Sequence, residues 1–356
     1  MSRHRAHDGP LRVLLVGAGR FGALHARTWH EAGATIVGIA DHDSARVSEV
    51  AARLGDLEVG ADAAELITRT EPDAVVVATD EASHVEVADH ALGAGCHVLV
   101  EKPVALSAAD ARQLQSRAQQ VGVELIAGHV SRFAQPYRDI RRAIEEGRIG
   151  ELWSLRLRRD FSRAWFESFG HRVDPVWESC IHDIDLALSF TGDRARRVVA
   201  MRSAAAGPAA PSVVSGMIEF DSGILATIET AWTIPEHAPQ TESGALELPG
   251  TIVGEAEAHG SAGVIRQRLL NDSLTIWSDR SSWSPNPFLW PLLDGVVGGA
   301  LRSEIDYAID VFSGRRPNDL MPPEQAVHGI EIAEAFTASL RTGSPTMIES
   351  QTSQER

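Results

Sequence analysis

The first third of the chain alternates short apolar runs with longer alanine-rich segments. The apolar runs are Arg12–Val16, Thr35–Ala40, Ala74–Ala78, His97–Val100 and Glu124–Ala127. The segments between them include Ala45–Leu54, His84–Gly93 and Ala108–Val121, which we interpret as helices. Continuous apolar strands separated by helices are typical of a parallel sheet covered on both faces. The pattern therefore predicts a doubly wound α/β domain.

The pattern changes after residue 130. A helix predicted over Pro136–Gly147 precedes strands in which apolar and polar residues alternate, and two further helices are predicted over Ala300–Ser313 and Pro323–Thr342. The predicted strands are Glu151–Arg159, Arg197–Ser203, Val213–Phe220, Ile224–Thr233, Thr251–Ala258 and Ser273–Ser278. Period-two alternation without long intervening helices indicates a large, mostly antiparallel sheet. We expect a disordered tail at 1–10, a Rossmann domain at 11–128, an α+β substrate-binding and oligomerisation domain at 129–346, and a tail at 347–356.

A glycine-rich loop follows the first predicted strand. Gly17, Gly19 and Gly22 have the spacing that allows a tight turn and close approach of a pyrophosphate to a helix N-terminus. Asp41 ends the second predicted strand, at the distance from the loop expected of an acid that binds the adenosine ribose. These residues predict an NAD site and favour NAD over NADP. The alternative is a structural turn beside a surface aspartate.

Lys102 stands between Glu101 and Pro103, directly after the apolar run His97–Val100. Ligands of an open α/β sheet lie beyond the carboxyl ends of its strands. We therefore expect the Lys102 ammonium to lie near the nicotinamide ring. The alternative is a solvated ion pair of Glu101 and Lys102 at the end of a strand.

A second group of candidate residues has helical spacing. Glu178, His182 and Asp185 would share one face of a helix, since they lie four and three residues apart. A histidine flanked by carboxylates is suited to moving a proton near neutral pH. A solvated helix face and a metal site are the alternatives, and we expect no metal because hydride transfer with a Lys–His pair needs none.

Composition narrows the classes of partner and of compartment. The chain of 356 residues carries a net charge of −16, which argues against a nucleic-acid or anionic-membrane partner. Cys96 and Cys180 cannot form a disulfide framework, and a reducing, cytoplasmic location is the simplest interpretation.

Taken together, these motifs resemble the glucose–fructose oxidoreductase, inositol dehydrogenase and MocA family (Gfo/Idh/MocA). The resemblance rests on the glycine loop, on Ala78-Thr79 with His84, on Glu101-Lys102-Pro103, on Arg132-Phe133 and on His182 with Asp185. It implies a Rossmann domain followed by an open-sheet domain that forms homodimers or homotetramers. It also implies NAD(P)-dependent hydride transfer to or from one hydroxyl of a sugar, sugar derivative or cyclitol. Two alternatives stay open, a member that recycles NAD while cleaving a glycosidic bond and a non-catalytic sensor of nucleotides.

The resemblance also implies roles for individual residues. Lys102 matches the lysine that contacts nicotinamide and the reacting oxygen, and His182 matches the acid/base. The implied cofactor contacts are Gly17, Gly19, Arg20, Phe21, Gly22, Asp41, Ala78, Thr79, His84, Glu101 and Lys102, although spacing alone would make His84 structural. The expected substrate contacts are Glu178, Asp185, Arg132, Arg163 and His171. Glu178, often aspartate in the family, and Asp80-Glu81, where proline is common, depart from the family pattern.

Overall fold

The computed structural model describes residues 9–165, 173–203, 213–248, 250–268, 274, 276–277, 279 and 282–349. The chain forms two compact units. The first unit runs up to Val130 and includes Leu292–Val327, and the second unit comprises Ser131–Pro291 and the residues from His328 onward.

The described strands, in chain order, are β1 (Arg12–Val16), β2 (Thr35–Ala40), β3 (Glu58–Gly60), β4 (Ala74–Val77), β5 (His97–Glu101), β6 (Leu125–Gly128), β7 (Leu152–Ser162), β8 (Ala195–Arg202), β9 (Val213–Phe220), β10 (Leu225–Ile234), β11 (Gln240–Gly244), β12 (Ile252–Gly260), β13 (Val264–Arg268), β14 (Ile276–Trp277), β15 (Ser282–Trp290), β16 (Leu292–Leu293), β17 (Val296–Val297) and β18 (Thr346–Met347). The helices are α1 (Arg20–Glu31), α2 (Ser44–Ala51), α3 (Ala63–Thr70), α4 (His84–Gly93), α5 (Ala108–Val121), α6 (Gln135–Glu145), the short α7 (Arg163–Trp165), α8 (Ile181–Thr191), α9 (Gly299–Phe312) and α10 (Pro323–Thr342). Among the described residues, none of these helices has the length and apolar character needed to span a bilayer.

The first unit is built on a six-stranded sheet with the order β3-β2-β1-β4-β5-β6. All neighbouring strands are parallel. The direction of strand order reverses between β1 and β4, which is where ligands bind in such sheets. Val75, Val76, Leu99 and Val100 are fully buried, as expected of strands covered on both faces. The predicted doubly wound α/β domain is confirmed.

Helix α9 belongs to the first unit, although the sequence analysis assigned residues 129–346 to the second domain. The buried ring of Phe312 stacks on Trp29 of α1, with 6.4 Å between ring centroids, and on His97 at 5.1 Å. The chain therefore returns to the first sheet late in its course. Periodicity identified α9 as a helix, but it carries no information about the surface against which that helix packs.

The second unit contains a seven-stranded sheet with the order β13-β12-β7-β10-β9-β8-β18. Its pairs are antiparallel except β10 with β7, so the predicted mostly antiparallel sheet is confirmed. Phe336 of α10 occupies the space that a side chain at Gly216 of β9 would need. On the same side of β8, the Ala200 N–H donates to the Ser339 hydroxyl at 2.9 Å. Helix α10 therefore packs closely on this end of the sheet.

Several local features differ from the predictions, and β11, β13 and β15–β18 have no predicted counterpart. β3 and α3 were not predicted, because β3 has only three residues, of which Glu58 and Val59 are exposed. The helix predicted from Glu178 is not uniform, because Val176–Cys180 forms a π-helical turn that continues into α8. Of the strand predicted over Ser273–Ser278 the structure describes β14, and most of the rest lies outside the described residues.

Candidate cofactor and catalytic site

The glycine loop between β1 and α1 uses each of its three glycines differently. Gly17 has a φ of 98°, and a Cβ there would collide with the backbone of Ala78 and Thr79 at the end of β4. A Cβ on Gly22 would collide with the carbonyl group of Gly17. A Cβ on Gly19 would have no neighbour within 4 Å among the described residues. Two glycines therefore permit tight packing, and the third leaves open space above the N-terminus of α1.

Asp41 joins the loops that follow β1 and β2. Its carboxylate accepts a hydrogen bond from the Ala18 N–H at 2.6 Å and one from the Asp43 N–H at 2.8 Å. The side chain is only 7% exposed. A carboxylate offers about four acceptor positions, so these two bonds orient Asp41 and leave acceptor capacity for the hydroxyls of a ribose.

A groove of about 1270 Å³ opens between these loops and the segment after β4. Of the predicted cofactor contacts, it is lined by Gly17, Gly19, Arg20, Phe21, Asp41, Ala78 and Thr79. The other four, Gly22, His84, Glu101 and Lys102, are described residues but are not part of this lining. Gly22 acts through packing, and the other three surround the end of β5.

The groove fits a dinucleotide. Among the described residues, no side chain caps α1, whose N-cap is Gly19, so backbone N–H groups of its first turn point to the open space above that glycine. Such N–H groups bind phosphate anions. The open space and the oriented Asp41 carboxylate match the pyrophosphate and ribose of a nicotinamide dinucleotide. Asp80, one of the two acids that depart from the family pattern, lies exposed at the rim of the groove.

Lys102 follows β5 directly and is half-buried. The peptide bond between Lys102 and Pro103 is cis. Glu101 is 8% exposed, and its carboxylate lies 2.8 Å from Nε2 of the fully buried His25. The carboxylate of Glu101 points into the protein, so Glu101 does not form the solvated ion pair with Lys102 that was the alternative.

The composition of the chain also distinguishes Lys102. Lys102 is the only lysine among the 33 lysine and arginine residues of the chain. Lysine carries a compact ammonium on a flexible stem, whereas arginine carries a planar guanidinium that does not give up its proton. In a chain that otherwise uses arginine, the exception indicates a task that a guanidinium does not perform.

Two buried ion pairs hold the acids Asp183 and Asp185, which follow His182 on α8 in the second unit. Arg132 binds Asp185 through two hydrogen bonds of 2.7 and 2.6 Å, and both side chains are at most 5% exposed. Arg159 binds Asp183 at 2.9 and 3.4 Å, with similar burial. Burial alone would lower the pKa of Arg159, but the Asp183 charge and its hydrogen bond outweigh burial and raise it. Arg159 therefore stays charged, and both acids of α8 are held in place.

The helix that carries His182 matches its predicted apolar stripe. Ile181, Ile184 and Leu188 are buried, and His182 and Glu178 are half-buried. Glu178 belongs to the π-helical turn, so its relation to His182 is not that of two residues on a regular α-helix. Such single turns occur frequently at functional sites.

Two predicted substrate contacts, Arg163 and His171, are not found among the buried residues described above. Arg163 is exposed, and His171 lies outside the described residues. Three buried residues of these sites, Arg159, Asp183 and His25, are not among the residues predicted from the sequence. Arg159 could have been found, because it occupies the inward-facing parity of β7 set by Leu155 and Leu157, where a charge is unusual.

The comparisons with known proteins decide the family. The oxidoreductase family with an NAD-binding Rossmann fold matches residues 11–129, and the Gfo/Idh/MocA C-terminal domain matches residues 137–266. Inositol 2-dehydrogenase 1 of Saccharopolyspora erythraea is 32% identical over 268 residues, which cover 71% of this chain and 78% of that protein. The chain belongs to the Gfo/Idh/MocA family. The predicted resemblance and the predicted class, an NAD(P)-dependent oxidoreductase, are confirmed.

Other relatives extend the range of substrates. D-Apiose dehydrogenase of Paraburkholderia graminis is 29% identical, over 71% of this chain and 66% of that protein. Among solved structures, myo-inositol 2-dehydrogenase of Lactobacillus plantarum superposes with a TM-score of 0.80 at 21% identity, covering 96% of this chain and all of that one. Scyllo-inositol dehydrogenase of Lactobacillus casei, solved with NAD(H) and scyllo-inositol, has a TM-score of 0.78 at 20% identity and the same coverage. At these identities the structures support the fold.

Proposed function

We propose that this oxidoreductase uses NAD and transfers a hydride between it and one hydroxyl or carbonyl group of a cyclitol, sugar or sugar derivative. The observation that carries the proposal is the groove of the glycine loop with the buried, oriented carboxylate of Asp41. The family supplies the reaction class, and the inositol and apiose dehydrogenases among its relatives indicate the substrate class.

The preference for NAD over NADP follows from Asp41. A carboxylate fixed by two backbone N–H groups cannot turn away from a 2′-phosphate, and the two negative charges repel each other. Arg46 also lines the groove, but its guanidinium lies 3.2 Å from Asp43, which partly neutralises it. The acid therefore dominates the choice of cofactor.

The roles of the catalytic side chains follow the family resemblance. When bound, NAD supplies the hydride acceptor. His182 takes the hydroxyl proton as the substrate carbinol is oxidised to a carbonyl, and the reverse reaction returns that proton. The Lys102 ammonium stabilises the negative charge that develops on the substrate oxygen, a task for a preformed charge. Arg132 and Arg159 hold Asp185 and Asp183, and so orient the helix that carries His182.

The test is a substrate panel. Purified protein is mixed with NAD and myo-inositol, scyllo-inositol, free aldoses or nucleotide sugars, and NADH is followed by absorbance. We expect net NADH formation with at least one free polyol or sugar. A protein that cleaves a glycoside and releases no net NADH would instead be an NAD-recycling member of the family.

Two variants of the single lysine test its role. Lys102→Met should lower kcat about 100- to 1000-fold, because one preorganised charge is lost, and should change the NAD dissociation constant less than about threefold. Lys102→Arg keeps the charge but not the shape, and we expect it to be nearly as inactive. Near-normal turnover of Lys102→Met would remove the lysine from the mechanism.

We also propose that the protein is a homo-oligomer that associates through the open face of the second sheet. Val199 and Met217 pair across β8 and β9, and with Met201 they are 38%, 46% and 73% exposed. An apolar cluster on one sheet face is typical of an interface. Met217→Asp should therefore lower the mass measured by light scattering. The cytoplasmic location stays a prediction, which rests on the cysteine content.

A further inference from the structure

The residues on either side of Lys102 are each bound by a buried histidine. Before the lysine, Glu101 lies with one carboxylate oxygen 2.8 Å from Nε2 of His25. The other oxygen accepts a hydrogen bond from the Lys102 N–H at 3.2 Å. Among the described residues the buried Nδ1 of His25 has no hydrogen-bond partner. The hydrogen bond between Nε2 and Glu101 is therefore the one that this imidazole makes.

After the lysine, the Pro103 carbonyl lies 2.8 Å from Nδ1 of His84. Nε2 of the same ring lies 3.1 Å from the Thr79 carbonyl. His84 is 1% exposed. Carbonyl oxygens only accept hydrogen bonds, so the nitrogen that faces Pro103 must carry a hydrogen to bind it. The ring therefore ties the end of β5 to the end of β4.

Each histidine also contacts a residue that lines the cofactor groove. His25 is on α1, and its ring meets that of Phe21 edge-on at 5.0 Å, while Phe21 lines the groove. His84 is the first residue of α4 and binds the carbonyl of Thr79, which lines the opposite wall. The two imidazoles thus connect the groove walls to the neighbours of Lys102.

We propose that His25 and His84 are positioning residues that fix the backbone on both sides of Lys102 and so aim its ammonium. The proposal rests on the catalytic role of Lys102 proposed above. A lysine has four rotatable bonds, so its amine can be placed only if its backbone is held. A misplacement of about 1 Å can lower a rate about 100-fold. Buried histidines that merely filled space would not require hydrogen-bonding nitrogens at defined positions.

The test exchanges each histidine for the two amides that mimic one ring nitrogen each. Glutamine places its NH₂ near the position of Nε2, and asparagine places it near Nδ1. At position 25 the useful bond is made by Nε2, so His25→Gln should retain turnover and His25→Asn should lose it. At position 84 the bond to Pro103 is made by Nδ1, so His84→Asn should retain turnover and His84→Gln should lose it.

We expect kcat of His25→Asn and His84→Gln to fall about 10- to 100-fold. His25→Gln and His84→Asn should stay within about threefold of wild type, and all four should keep the NAD dissociation constant within about threefold. Turnover is measured with the panel compound that reacts fastest. A purely structural role would make Asn and Gln equally harmful at each position, and that result would overturn the proposal. If Lys102→Met itself kept normal turnover, the proposed function would be at fault.

The single lysine provides a readout without substrate. Reductive methylation with ¹³C-formaldehyde labels Lys102 and the terminal amine, and the Lys102→Met variant shows which signal belongs to the lysine. NAD should shift the Lys102 signal in wild type, His25→Gln and His84→Asn, and should not shift it in the other two variants. If the variants fail to fold, ¹⁵N spectra of wild-type histidines still decide, because a His84 ring without a hydrogen on Nδ1 would contradict the bond to the Pro103 carbonyl.

Discussion

The candidate sites of the two units are built from different chemical groups. In the first unit the groups that face the groove are backbone N–H groups, glycines without a side chain and one carboxylate, Asp41. In the second unit the helix of His182 is held by four buried charges, the pairs Arg132–Asp185 and Arg159–Asp183. The first arrangement relies on backbone groups and on the absence of side chains, and the second relies on charged side chains whose partners lie 24 and 53 residues away.

The difference predicts how each unit responds to change. A buried ion pair that loses one partner leaves an uncompensated charge, whereas removal of both partners is nearly neutral. A glycine loop has no such charge, and it fails only where a new side chain meets the backbone or the ligand. Substitutions in the charged pairs of the second unit should therefore mainly lower its stability. Substitutions in the glycine loop of the first unit should mainly lower its affinity for the dinucleotide.

The largest expected effect is on the stability of the second unit. Arg159→Met leaves the buried Asp183 carboxyl without its ion-pair partner, and should lower the free energy of unfolding by about 3–5 kcal/mol. Urea unfolding followed by tryptophan fluorescence measures this effect, since Trp29 is the only one of the eight tryptophans that lies in the first unit.

The matched control removes both charges. Arg159→Met combined with Asp183→Leu should recover most of the lost stability, since no unpaired charge remains. The Tyr137 hydroxyl, which hydrogen-bonds Arg159, loses its partner in both variants and does not distinguish them. A single variant that cost less than about 1 kcal/mol would show that Asp183 finds another partner, and the contrast between the units would weaken.

The next effect separates packing from binding within the first unit. In Gly22→Ala the new methyl group meets the Gly17 carbonyl, and the clash should cost about 1–3 kcal/mol even though alanine favours helices. In Gly19→Ala it meets no described residue, so stability should fall by less than about 1 kcal/mol. NAD affinity should nevertheless fall about tenfold or more in Gly19→Ala, since the methyl group enters the pyrophosphate space.

Thermal unfolding and a fluorescence titration with NADH distinguish the two glycine variants. If Gly19→Ala bound NADH normally, the open space above α1 would not be the pyrophosphate site. The dinucleotide would then lie elsewhere in the groove.

A smaller effect concerns the choice of cofactor. Asp41→Asn keeps an oxygen for the Ala18 N–H and removes the charge. The ratio of NADP to NAD affinity should rise roughly tenfold, about 1.4 kcal/mol. Glu49→Gln is the control, because it removes an exposed negative charge from α2 outside the lining of the groove. An unchanged ratio in Asp41→Asn would mean that another group excludes the 2′-phosphate.

The sequence predicted the first unit better than the second for a physical reason. Gly17, Gly22 and Asp41 follow a motif of fixed spacing, so the sequence identifies them even though Asp41 binds Ala18 of another loop. Arg159 and Asp183 meet only because β7 and α8 pack together, and no local pattern identifies the partner. The attachment of α9 to the first sheet was missed on the same ground. His25 was missed because a single buried histidine on a helix resembles any other core residue until Glu101 is seen beside it.

The smallest effect tests whether the two units are separate in solution. Each unit contains one cysteine. Cys96 is 3% exposed, and burial, aided by the charge of Asp73, raises its pKa to about 12. Cys180 is fully buried, and burial, aided by Asp183, also raises its pKa. Neither thiol should react with a disulfide reagent at pH 8 while folded, since the thiolate fraction of Cys96 is only about 10⁻⁴.

Labelling therefore reports the opening of each unit. NAD that binds only the folded first unit stabilises it in proportion to 1 + [L]/Kd, so NAD at about three times its Kd should slow labelling of Cys96 about fourfold. Labelling of Cys180 should not change, because its unit contributes nothing to the glycine-loop groove. Peptide mass spectrometry after timed labelling measures both rates in one sample. Equal slowing of the two cysteines would mean that the units open together, and that the charged pairs of the second unit and the glycine loop of the first stabilise one cooperative structure.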